Sequence, residues 1–191
     1  MATTTSLPNS LDFSAARLKG RATGALICGI FGGVWMFEAL YFGTMATPAW
    51  LTVMALLSAT FVLWPVARLR SLRHVVSSDD YWATVSKAYW TIVAVEWLAC
   101  FVAANVLANT GHPDLIPQFI GGIVGLHFLP LAKLFKAPTY NWTGAAMALG
   151  VLASLAIPAG TVRALAAYGL CGLVLWTTVA VSLCHYRLSS R

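Results

Sequence analysis

The stretch from Tyr89 to Leu107 reads YWTIVAVEWLACFVAANVL, with Glu96 as its one ionisable residue. At a helical rise of 1.5 Å per residue it covers about 28 Å, close to the roughly 30 Å hydrocarbon thickness of a bilayer. Apolar runs of similar length recur at about 23–42, 49–67, 117–134, 142–157 and 162–185. Of 191 residues 59% are hydrophobic and 9% charged, against about 25% charged in soluble domains. A mean hydropathy of +0.77 agrees with that contrast. The expected fold is an all-α polytopic membrane protein, a bundle of six transmembrane helices over 23–185. An N-terminal tail (1–22) and a C-terminal tail (186–191) flank it. The Ser/Thr-rich start lacks a basic segment ahead of an apolar one, so it reads as a tail and not as a cleaved signal.

Net charge is +6, and the positions of the cations decide what that means. With six spans both termini share one side. Arg17, Lys19, Arg21, Arg68, Arg70, Arg73, Lys87, Lys133, Lys136, Arg187 and Arg191 all fall there, and Arg163 alone lies opposite. Cations confined to one set of span ends follow the positive-inside rule and place both termini in the cytoplasm. They do not build a phosphate-binding face, so no nucleic-acid partner is expected. Trp50, Trp64, Trp90 and Trp142 stand at span ends, where an aromatic belt belongs. Ser77-Ser78-Asp79-Asp80 reads as the start of the helix leading into the third span, a capping hydroxyl followed by carboxylates. The basic link from Arg68 to Lys87 suits anionic lipid headgroups or a cytoplasmic partner.

Lipid tails give little hydrophobic drive between helices, so small residues and polar contacts must hold such a bundle. Four-residue repeats of small side chains occur at Ala25/Gly29/Gly33, Gly121/Gly125 and Ala146/Gly150/Ser154, with Gly169 and Gly172 on the last span. They serve internal packing or homo-oligomer formation. Cys28, Cys100, Cys171 and Cys184 form no CxxC pair and read as packing thiols.

Glu38, Glu96 and His127 are the strongly ionisable side chains well inside the spans. Such groups cost about 2.5–3.5 kcal/mol each at the bilayer centre, which makes each a candidate for function. Glu96 and His127 lie within about 4 Å of their span centres, Glu38 about 8 Å towards the outer face. A short turn joins spans three and four, so Glu96 and His127 can meet at one level as a proton relay. Pro130 cannot donate to the carbonyl of Leu126, which predicts a helix kink and a free acceptor beside His127. Trp35, Glu38 and Tyr41 are the candidates for an outer vestibule. The competing reading makes Glu96 and His127 interhelical ties, with Glu38 neutral and hydrogen-bonded.

No HExxH, GxxxxGK or GxGxxG pattern occurs, no lysine lies mid-span for a retinal, and one deep histidine does not make a haem pair. About 12 Å of axial offset between the two carboxylates disfavours a metal. No metal, cofactor or catalytic residue is therefore expected, and a lipid- or prenyl-processing enzyme is the weakest of three classes. The favoured class is a small ion or solute channel or transporter. Its alternative is a non-transporting assembly or regulatory protein.

The segment Gly125-Leu126-His127-Phe128-Leu129-Pro130-Leu131-Ala132-Lys133-Leu134-Phe135, with Gly32-Gly33-Val34-Trp35 leading to Glu38, resembles a family of small bacterial multi-pass membrane proteins of unknown function. The resemblance implies residence in the bacterial inner (plasma) membrane and marks His127, Pro130 and Glu38 for testing. It implies no substrate and no catalytic residue.

Overall fold

A computed structural model describes residues 10–73 and 79–189, with side-chain environments over 18–73 and 85–184. Within them the chain is all-α. Six helices follow in order: α1 (Ser10–Phe42), α2 (Pro48–Ser71), α3 (Asp79–Asn109), α4 (Ile116–Leu134), α5 (Thr139–Ser154) and α6 (Thr161–Ser189), with a 3₁₀ turn at Pro113–Leu115 before α4. Five segments are long and apolar enough to cross a membrane: Leu18–Phe42, Pro48–Ser71, Val85–Asn109, Pro113–Leu134 and Thr161–Cys184. The chain is thus an integral multi-pass membrane protein in contact with lipid.

Helix α5 differs from its expected run of 142–157. It begins at Thr139 and ends at Ser154, 16 residues in all, which is about 24 Å of helix. Pro158 explains the early stop: the residue before a proline is pushed out of the α region, and Leu155 to Ile157 form turns instead. Helix α1 likewise begins at Ser10, ahead of the expected 23, and α6 runs on to Ser189. The expected cap at Ser77-Ser78 lies outside the described residues, as do the first nine residues and the last two.

Backbones approach closely where side chains are absent. A Cβ at Gly172 would stand 2.7 Å from Met36 and 3.0 Å from the Gly32 carbonyl oxygen, so α1 and α6 meet antiparallel. A Cβ on Gly125 would stand 3.0 Å from the carbonyl oxygen of Gly144, and one on Gly144 2.5 Å from that of Gly125, which locks α4 to α5. On α1, Gly29 faces the Phe61 carbonyl of α2 and Gly33 faces Ser58. The small-residue faces on α1, α4 and α6 therefore bring helices of the same chain together. Dispersion and close backbone contact replace the hydrophobic drive that lipid cannot supply.

The buried core lies between α1, α4, α5 and α6, where Cys28, Trp35, Met147, Val151, Cys171, Leu175, Val179 and Leu183 pack together. Helix α2 lies against α1, and α3 lies mainly against α4. No residue of α3 from 86 to 106 is buried within the chain. This peripheral helix carries Glu96.

Candidate functional site

Along α3 the side chains sort by face. Glu96, Ala99, Cys100 and Ala103 are half-buried, whereas Val95, Trp97, Leu98 and Phe101 are exposed. Residues three and four apart share a helical face, so the small side chains beside Glu96 let α4 come near. His127 on α4 meets it there. Its Nδ1 lies 3.3 Å from Glu96 Oε1, and both side chains keep about a seventh of their surface, at 14% and 15% exposure.

The imidazole has a second, closer neighbour. Nδ1 lies 2.6 Å from the backbone carbonyl oxygen of Val124, one turn back on its own helix. A carbonyl can only accept, so Nδ1 carries a proton and donates it to Val124. The carboxylate is then an additional acceptor beside that N–H. His127 is accordingly either the neutral Nδ1–H tautomer or the imidazolium, with Nε2 as the atom that gains or loses the proton. Leu126 and Pro130, one turn apart, are both exposed, and α4 continues through Pro130 to Leu134. The acceptor that His127 uses is thus the Val124 carbonyl, and not the Leu126 carbonyl that Pro130 leaves free.

The three outer candidates do not share one surface. Trp35 is buried at 6% exposure with its ring tilted 5.4 Å from Tyr168, whereas Tyr41 is 71% exposed. The reason is angular: six residues at 100° each leave the two side chains about 120° apart. Glu38 is half-buried and within electrostatic range of Tyr168. Phe42 stacks on Tyr168 at 5.3 Å, so aromatic contacts close α1 against α6. Trp35 also reaches Gly121 of α4. Counting helical rises from that contact, Glu38 stands roughly 13 Å above the level of His127. Among the described residues, no three of His, Cys, Asp and Glu come together as metal ligands, and the four cysteines are free.

Several polar contacts between helices are not foreseen from the sequence, and two of them matter most. Arg163, at 8% exposure, forms an ion pair with Asp114 of the 3₁₀ turn and ties the start of α6 to the start of α4. A signal for it existed, because Asp114 is the acid in the link between spans three and four and Arg163 is the cation on that same side. Buried charges need partners. Between α5 and α6, the hydroxyls of Thr143 and Thr178 lie 2.7 Å apart in the interior. Nothing in the sequence singles these two threonines out, since either could bond its own helix carbonyl.

Comparison of the chain with protein-family models, with curated proteins and with solved structures gives no match.

Proposed function

We propose that this chain is a six-span transport protein with cytoplasmic termini, in which Glu96 and His127 pass a proton at mid-depth, alone or coupled to an ion or solute. The observation that carries this reading is the 3.3 Å approach of a carboxylate to an imidazole within the spans, where such groups are costly. Helix α5, with the turn that follows it, serves as the short sixth crossing. The orientation draws support from the one-sided basic residues, and the single exception, Arg163, has its charge offset by Asp114.

The tautomer defines a route. A proton arriving at Nε2 converts His127 to the imidazolium. Its Nδ1 proton passes to Glu96, the bond to Val124 breaks, and a neutral Nε2–H imidazole remains. Glu96 releases the proton to the far side, and exchange with water, which takes the Nε2 proton and returns one at Nδ1, restores the Nδ1–H donor to Val124. Glu38, nearer the end opposite the termini, acts as the acid at the outer entrance.

The second reading makes the pair a structural tie. It is favoured by the position of α3, which lies mainly on α4 and has few other contacts to hold it. Proton flux in liposomes under an imposed pH gradient separates the two, measured beside thermal stability for Glu96→Gln and His127→Ala. Transport requires both variants to fold and to lose flux. A tie requires them to lose stability, and wild-type flux from stable variants would end the relay.

A further inference from the structure

Helix α3 carries a shallow groove on the side facing away from α4, lined by Lys87, Trp90, Thr91, Ala94, Val95 and Leu98. These positions recur every three or four residues, so they form one stripe along the helix. Ala94 creates the notch: its methyl group stands between Trp90 and Leu98, one turn to either side, and both are about 64% exposed. The Trp90 ring is held edge-on by Tyr89 at 5.2 Å, and Tyr89 is braced in turn by Phe135, the residue just past the end of α4. The wall of the groove is therefore anchored to the bundle.

We propose that this groove binds one anionic phospholipid, its headgroup at Lys87 and an acyl chain lying along Ala94 to Leu98. Length and charge both argue for that occupant. From Lys87 to Leu98 the helix rises about 16 Å, the depth of one leaflet's hydrocarbon, which is half of roughly 30 Å. The cation stands at one end of an otherwise apolar stripe, at the same end of the bundle as Lys133 and Lys136. A phosphate belongs at that end and a hydrocarbon chain in the remainder. Trp90 sits one turn inward of Lys87, at the depth where an indole meets the headgroup boundary. The Thr91 hydroxyl donates to the Lys87 carbonyl at 2.9 Å, which removes a polar donor from the apolar part of the groove. A second copy of the chain fits less well, because Lys87 would meet another Lys87 in a symmetric contact of this stripe.

Tryptophan quenching tests the assignment. The chain is reconstituted in phosphatidylcholine vesicles containing an equal small fraction of either acyl-brominated phosphatidylcholine or acyl-brominated phosphatidylglycerol. The chain has eight tryptophans, so the Trp90 signal is taken as the difference between wild type and Trp90→Phe. That signal should be quenched at least twofold more by the anionic lipid. The excess should disappear when the same difference is taken in Lys87→Gln and in Ala94→Leu, which remove the headgroup contact and the notch. Equal quenching of the Trp90 signal by the two lipids would overturn the proposal, and so would an excess that survives Lys87→Gln. Disulfide-linked dimers formed by Thr91→Cys in the vesicles and not by wild type, whose four cysteines are also free, would give the groove to a second copy and overturn it as well.

Discussion

Arg163 and Asp114, 49 residues apart in sequence, form an ion pair that joins the first turn of α6 to the short turn preceding α4. The arginine is almost wholly enclosed and the carboxylate is partly open, with 10% and 44% of their side-chain surfaces exposed. Asp114 therefore serves Arg163 more than the reverse. Without it, a guanidinium would remain in the interior with no counter-charge.

Asp114→Asn should lower stability by about 1–3 kcal/mol, less than the 3–5 kcal/mol expected for a wholly buried pair, because solvent screens the open carboxylate. Thermal unfolding in detergent measures this. Replacing both residues together, Asp114→Asn with Arg163→Met, should recover most of the loss. A double variant as unstable as the single would show that Arg163 contributes through packing.

Glu96→Gln and His127→Ala should each cut proton flux by more than tenfold while shifting the unfolding midpoint little. His127→Gln adds a finer test. Its amide can still donate to the Val124 carbonyl but cannot take up a proton, so it should fold like wild type and remain inactive. Flux restored by glutamine would exclude imidazole protonation as the step.

At the α4–α5 crossing, Gly144→Ala places a methyl group against the Gly125 carbonyl oxygen and should cost about 1–3 kcal/mol through forced separation of the helices. Gly122→Ala is the contrast on α4, because its Cβ would stand 3.9 Å from Val151 in ordinary contact. It should be neutral or slightly stabilising, as alanine is the better helix former by about 1 kcal/mol. Equal melting temperatures for the two variants would contradict the close approach.

Thr143→Val leaves the Thr178 hydroxyl without its cross-helix partner and should cost about 0.6–2 kcal/mol, the range of interhelical hydrogen bonds in membranes. Thr178 retains its bond to the Val174 carbonyl at 2.8 Å, which keeps the loss at the lower end. A double-mutant cycle with Thr178→Val isolates the pair, and a coupling energy near zero would assign Thr143 to packing alone.

The spans were legible because their signal is local. A run such as Tyr89 to Leu107 must satisfy its backbone within itself in a bilayer, so length and hydropathy are enough to call for a helix. The same holds in part for the turn chemistry that ends them, although α5 begins and ends three residues before its hydropathy run does. The meeting of Glu96 with His127 was also within reach, because one short connection sets the relative level of neighbouring helices.

What the chain alone determined is which segments are helical and which polar groups fall within them, since each follows from the rise per residue and the solvent around it. Only the folded bundle decided how those groups are oriented. Whether His127 bonds Val124 or Leu126, whether Trp35 points inward while Tyr41 points out, and which acid offsets Arg163 all depend on helix rotation and on contacts between distant segments. A rotation of one helix by a few tens of degrees leaves its hydropathy unchanged and alters every such pairing. Close contact between backbones at Gly125 and Gly144, and at Gly32 and Gly172, sets that rotation.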